Sequence, residues 1–171
     1  MEKNLQVYIA ASFKHLHGAR LLGSEIRRLG YEVLDWTEKA SPPPGLTAAQ
    51  RRIWMDTDWE GGQVYQFCRD ACLRADVVVY YGASGQDAGV EVGLAAAAGA
   101  PVLGIRGPLE SPGLMLHGAA DVWTEDAGAA LEILRRLRLL CLDESLPLDA
   151  EGEAVRKLAL KARGRARPKA I

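Results

Sequence analysis

Cysteine is scarce in this sequence and does not pair up: Cys68, Cys72 and Cys141 are an odd number, with no Cys-x-x-Cys spacing and no histidine-rich cluster beside them. That excludes a disulfide framework and the common zinc modules, and leaves reduced, buried thiols. No metal site and no bound cofactor is expected. Net charge is scarce as well, since 21 basic and 22 acidic residues leave a formal −1, which gives a polyanion no reason to bind the whole molecule. Long apolar runs are missing. The most apolar window, Val90 to Ile105, is broken by Glu91, Gly99 and Pro101 and is too short to span a bilayer. The opening MEKNLQVYIA lacks the basic, apolar, small-residue order of an export signal, so a cytoplasmic location without a membrane partner is expected. No internal repeat is found.

What is present suits one hydrophobic core, because 171 residues at 49% hydrophobic content are long enough for one and short for two. The stretch from Ala75 to Arg106 organises the rest. It reads as a buried strand at Val77 to Tyr81, a glycine-rich turn from Ser84 to Gly89, a helix, and a second buried strand at Pro101 to Ile105 after Gly99 stops the helix. Glu91 is the only charged residue of that helix and is expected in its first turn, at the carboxyl end of a central strand, where ligands of open α/β sheets bind.

Upstream, Leu5 to Ala11 reads as a strand, Ala19 to Leu29 as a helix ended by Gly30, and Tyr31 to Leu34 as a second strand closing in Asp35, Trp36 and Thr37. The prolines of SPPPGLT, Ser41 to Thr47, exclude regular structure and suggest a loop or lid arm. Thr47 is placed to cap a short helix through Met55, and Trp54 to Gly62 sets two tryptophans among Asp56, Asp58 and Glu60. A further helix, Gln63 to Arg74, leads into the central strand. Downstream come a loop from Gly107, a brief edge strand at Asp121 to Trp123, a helix from Glu125 to Leu140 capped by Thr124, a break at Asp143 to Pro147, and an appended helix near Ala150 to Ala162. The basic end, Lys161 to Lys169, has no aromatic residues to stack on bases and reads as a solvated, partly disordered tail rather than a nucleic-acid contact. Alternating strands and helices with right-handed crossovers predict a three-layer α/β fold: a doubly wound, parallel, five-stranded sheet in the flavodoxin-like order 2-1-3-4-5. The switch point then lies between strands one and three, so the loops from Ser12 and Gly82 face each other.

Among residues that carry chemistry, Glu91 comes first: it lies between Val90 and Val92, follows a glycine-rich turn at the switch point, and has no Lys or Arg within a helical turn. A structural carboxylate answering the helix dipole is the plain alternative. The run Asp76 to Tyr80, then Ser84 to Gly93, then Ala95 to Val102, together with Val7 to Phe13, resembles the core of the nucleoside 2-deoxyribosyltransferase family, over roughly Leu5 to Leu140. The most specific part is the Glu-x-Gly-x-Ala segment beginning at Glu91. The resemblance implies such a domain over residues 1–142, followed by the appended helix and basic tail at 143–171. It also implies that Glu91 is a nucleophile at C1′ of a nucleoside or nucleotide, forming a glycosyl-enzyme ester resolved by a base or by water.

Asp87 is a candidate to protonate or hydrogen-bond the leaving base, or a turn-forming aspartate. Asp70 resembles the family's orienting aspartate at a shorter spacing than expected, and a surface helix aspartate is the plainer reading. Ala10, Ser12, Phe13, Trp36, Ser84, Gly85 and Gly89 are candidate substrate-binding residues, with Trp36 favoured over Trp54 and Trp59 for stacking on a base. The rival reading is a non-catalytic module that holds a nucleotide in the same crevice. An FMN-type electron carrier is disfavoured, because the first loop lacks a Ser/Thr-rich phosphate cradle. A homodimer or higher homo-oligomer is expected, with Leu139, Leu140 and the appended helix offering apolar surface.

Overall fold

The computed structural model describes residues 4–40, 42–57, 59–149 and 151–165. In chain order it contains β1 (Gln6–Ala10), a single 3-10 turn (Phe13–His15), α1 (Leu16–Arg28), β2 (Glu32–Leu34), α2 (Trp36–Lys39), α3 (Ala48–Thr57), α4 (Trp59–Arg74), β3 (Val77–Tyr81), α5 (Gln86–Ala97), β4 (Val102–Ile105), α6 (Leu114–Ala119), β5 (Val122–Thr124), α7 (Ala127–Leu142) and α8 (Glu153–Gly164). The strands form one five-stranded sheet in the order β2-β1-β3-β4-β5. Every pairing is parallel. The doubly wound fold expected from the sequence is therefore present.

The strands are apolar runs because both faces are covered. Val77, Val78, Val79 and Tyr80 in β3 and Val102 and Leu103 in β4 are all at most 1% exposed. The chain moves left from β1 to β2 and right from β3 to β4, so right-handed crossovers put α1 and α5 on opposite faces. Accordingly α1 packs against α7, and α4 packs against α5. The glycine stops act where the backbone demands them. Gly30 and Gly99 take φ of +89° and +73° just beyond α1 and α5.

Several boundaries differ from the sequence reading. Gly85 is the N-cap of α5, so Gln86 to Gly89 are helical, Asp87 lies in the first turn and Glu91 one turn further in. The dipole at the helix start thus falls on Asp87 rather than on Glu91. Trp36 and Thr37 do not prolong β2 but open the one-turn α2, because the Asp35 side chain caps it by accepting from Thr37 N at 2.9 Å. Thr47 does cap α3: its hydroxyl accepts from Gln50 N at 3.2 Å while Gln50 Oε1 accepts from Thr47 N at 2.9 Å, a reciprocal capping box. The cap of α7 is Asp126, which accepts from Gly128 N at 2.9 Å, and Thr124 instead accepts from Asp126 N. The segment after β4 is not wholly loop, since α6 forms within it.

The C-terminal end also differs. Helix α8 packs on α7 and β5, burying Val155, Leu158 and Ala159, so Leu140 is consumed inside the chain at 2% exposure. The basic residues from Lys161 to Arg165 are anchored. Lys161 pairs with Asp121 at 2.7 Å, and Arg163 donates to the Leu140 carbonyl at 2.9 Å, which satisfies groups near the end of α7. Arg165 donates to the Leu73 and Ala98 carbonyls at 2.5 and 3.2 Å. The tail beyond Arg165 lies outside the described residues.

Candidate active site

Strands β1 and β3 are neighbours in space, yet the helices that follow them leave on opposite faces, so their loops part and open a crevice at the carboxyl edge. A cavity of about 500 Å³ lies there, lined along the first loop by Ala11, Ser12, Phe13 and Lys14, with Trp36 beside it. Its other wall comes from α4 through Val64, Tyr65, Cys68 and Arg69, and from α5 through Asp87, Val90, Glu91 and Leu94.

Glu91 is largely buried in that wall. Tyr8, fully buried in β1, donates its hydroxyl hydrogen to Glu91 Oε1 at 2.7 Å. Glu91 Oε2 is also buried and has no hydrogen-bond partner among the described residues. Burial pushes this carboxyl up to about 7, and repulsion from Asp87 adds to the rise, whereas Tyr8 and Cys68 favour the ionised form. Burial, and after it the Glu91 carboxylate, pushes the thiol of Cys68 up to about 12, so that it stays neutral beside Glu91. An α5 carboxylate is thus held half-satisfied at the edge of a cavity large enough for a small molecule. A second polar atom is in the same state. Ser12 Oγ is buried without a partner, and Ser12 lines the same cavity.

The structure brings Glu91, Asp87, Ser12, Phe13 and Trp36 together around this space. Asp87 is exposed at its mouth. Trp36 is only 4% exposed, its indole N–H donates to the Ile9 carbonyl at 3.0 Å, and Phe13 packs edge-on to it with ring centroids 5.1 Å apart. Phe13, at 44% exposure, therefore offers the more accessible ring. Ala10 is the buried end of β1 and Ala11 takes its place in the lining. Ser84 supports the site from behind: its Oγ accepts from Ser12 N at 3.0 Å and donates to the Tyr81 carbonyl at 2.5 Å. Gly85 caps α5 and Gly89 lies inside it, and neither lines the cavity.

Asp70 stands apart. It is exposed on α4 and pairs with its neighbour Arg69 at 2.8 Å. Trp54 is buried at 6% exposure outside the lining, while the side chain of Trp59 lies outside the described residues. Cys68, one helical turn before Cys72 on α4, takes the wall position facing Glu91 and Tyr8. The sequence reading assigns no site role to Tyr8, Cys68, Tyr65, Arg69 or Lys14. Within the buried part of β1, Val7 to Ala10, Tyr8 is the one residue with a polar side-chain group. His15 and His17 gather no ligands, and no cluster able to hold a metal exists among the described residues. His15 instead donates from Nε2 to the Ala83 carbonyl at 3.1 Å, tying the two crevice loops together.

No family model and no curated protein sequence matches this chain. Among solved structures, the chain is similar to the 2-deoxyribosyltransferase of the psychrotolerant bacterium Bacillus psychrosaccharolyticus, at 20% identity and a TM-score of 0.50, over 74% of this chain and 90% of that one. It is also similar to the CMP N-glycosidase BcmB of Clostridium botulinum, at 18% identity and a TM-score of 0.48, over 75% of this chain and 97% of that one. At 20% identity the likeness to the first of these establishes the fold alone. No helix among the described residues is long and apolar enough to cross a membrane.

Proposed function

We propose that this chain is an enzyme that cleaves or transfers at the N-glycosidic bond of a nucleoside, deoxynucleoside or nucleoside monophosphate, with Glu91 as the nucleophile. One observation carries the reading: Glu91 lines the crevice cavity with Oε1 held by Tyr8 and Oε2 buried without a partner. A buried, half-satisfied carboxylate is costly, and a cationic sugar centre is the kind of ligand that would offset that cost. The fold shared with a 2-deoxyribosyltransferase supports the choice of bond.

In this mechanism the ionised Glu91 attacks C1′, the C1′–N bond breaks with its electron pair leaving on the base, and a glycosyl ester forms. Asp87, which lines the cavity, hydrogen-bonds or protonates the leaving base in this reading. Phe13 supplies a ring for the base, and Ser12 Oγ supplies an open partner for a sugar hydroxyl. Water or a second base then attacks C1′ and releases Glu91, with retention of configuration overall. Tyr8 keeps the carboxylate in one orientation through both steps.

A 2-fluoro-2-deoxy nucleoside, which slows release of the ester, is expected to leave one sugar mass on the peptide carrying Glu91. Binding of the free nucleoside with no sugar mass on the protein would instead make the crevice a nucleotide-holding module. Comparison of base exchange with release of free sugar then distinguishes transferase from hydrolase.

A further inference from the structure

The loop after β4 contains an unusual turn. Glu110 N donates to the Gly107 carbonyl at 3.0 Å across Pro108 and Leu109, and Leu109 takes φ of +61°, a conformation that branched L residues rarely adopt. Its side chain is wholly exposed, so packing of Leu109 does not hold the turn. What holds it is Glu110, whose Oε2 accepts from Gly107 N at 2.8 Å and whose Oε1 accepts from the Tyr80 hydroxyl at 2.5 Å. Strain at one residue persists where its surroundings over-determine it.

The Tyr80 hydroxyl passes the constraint on. It accepts from Ser84 N at 3.1 Å, while Ser84 Oγ accepts from Ser12 N at 3.0 Å, and Ser12 lines the Glu91 cavity. Burial and the Glu110 carboxylate push the phenol of Tyr80 upward, so it remains a donor to Glu110. The main chains are equally tight. A Cβ on Gly82 would overlap Glu110 Oε2 and come within 2.7 Å of Gly107 N, and a Cβ on Gly107 would overlap Ala83 N and come within 2.9 Å of Gly82 C. The loops after β3 and β4 therefore pack backbone against backbone and behave as one body.

We propose that Glu110 is a positioning residue for the Glu91 cavity, holding the main chain at Ser12 in place through Tyr80 and Ser84. Its consequence for turnover rests on the function proposed above, whereas its consequence for the loops does not. Two readouts on the full chain separate these: amide hydrogen exchange at Ser84 and Ser12, and kcat and KM with a nucleoside. In Glu110→Ala and in Tyr80→Phe, exchange at both amides is expected to rise about tenfold or more. The double variant should be no worse than either single one, because the three groups act in series. Glu110→Gln keeps one accepting oxygen, which serves Tyr80 or Gly107 but not both, so it should fall between wild type and Glu110→Ala; it also serves if the alanine variant does not fold. Where the wild type turns over nucleoside, kcat/KM should fall by roughly ten- to a hundredfold with the relay broken. Unchanged exchange at Ser12 in Glu110→Ala, or single-variant losses that multiply in the double variant, would overturn the relay. Loss of protection at Ser12 in a protein whose wild type shows no turnover would support the relay and count against the enzymatic reading alone.

Discussion

At the scale of the residue, the site is governed by how the Glu91 carboxyl is held. In the proposed reaction only its ionised form attacks C1′, and burial, outweighing the hydrogen bond from Tyr8, pushes that ionisation up to about 7. For the free enzyme, kcat/KM should therefore climb as pH rises through about 7 and level off above it. Tyr8 favours the charged form, so Tyr8→Phe should move that rise to higher pH and lower activity at neutrality while leaving the plateau less affected. A pH–rate profile of the two proteins tests this, and superimposable acid limbs would deny Tyr8 its role. The sequence pointed to Glu91 through one charge in an apolar helix beside a glycine-rich turn. It pointed poorly to Tyr8 and Cys68, because a hydroxyl in a buried strand and a thiol on a helix face look like core until the strand and helix are brought together.

At the scale of the element, the helices were legible in kind and less so in extent. Gly30 and Gly99 fixed two helix ends because only the backbone conformation at those positions matters there. Helix starts were harder. Gly85 caps α5 inside the stretch read as a turn from Ser84 to Gly89, Asp126 rather than Thr124 caps α7, and α6 lies in a stretch rich in glycine and proline. The segment from Pro42 to Gly62 joins a proline-rich arm to two tryptophans and is expected to move over the crevice. It contains α3, which packs on α4, and α4 contributes Val64, Tyr65, Cys68 and Arg69 to the cavity wall. Movement of this arm over the crevice would shift the buried Trp54. Tryptophan emission should change when nucleoside binds, and the change should shrink in Trp54→Phe. Emission unaffected by saturating nucleoside would leave the arm static.

At the scale of the whole molecule, alternation of strand and helix points to a doubly wound parallel sheet, and the order 2-1-3-4-5 chosen among the few that right-handed crossovers leave is the one observed. The C-terminal helix was less predictable, since nothing in its own pattern says that Val155, Leu158 and Ala159 bury against α7 and β5. That packing removes Leu140 from the surface expected to join subunits. Large apolar side chains stay exposed elsewhere, at Leu114 and Met115 in α6, with exposures of 86% and 85%. A homodimer or larger assembly that covers them is the expected state. Sedimentation at micromolar concentration should show it, and Met115→Glu should shift it toward monomer; a wild type that sediments only as monomer would contradict the expectation.

The most direct test of the central claim is turnover of a nucleoside by purified Glu91→Gln. Gln is nearly isosteric and can still accept from Tyr8, but it is a far poorer nucleophile and brings no charge to a cationic sugar. The fold should survive. A carboxyl raised from 4.5 to about 7 in the folded state stabilises the protein below pH 4.5 and loses that contribution as pH rises toward 7. The Gln variant carries no such loss, so it should melt near wild type at pH 5 and above wild type at pH 8. Turnover should fall by several orders of magnitude, each factor of ten being about 1.36 kcal/mol of barrier. A folded Glu91→Gln protein with near-normal turnover would contradict the account and move the catalytic carboxylate elsewhere.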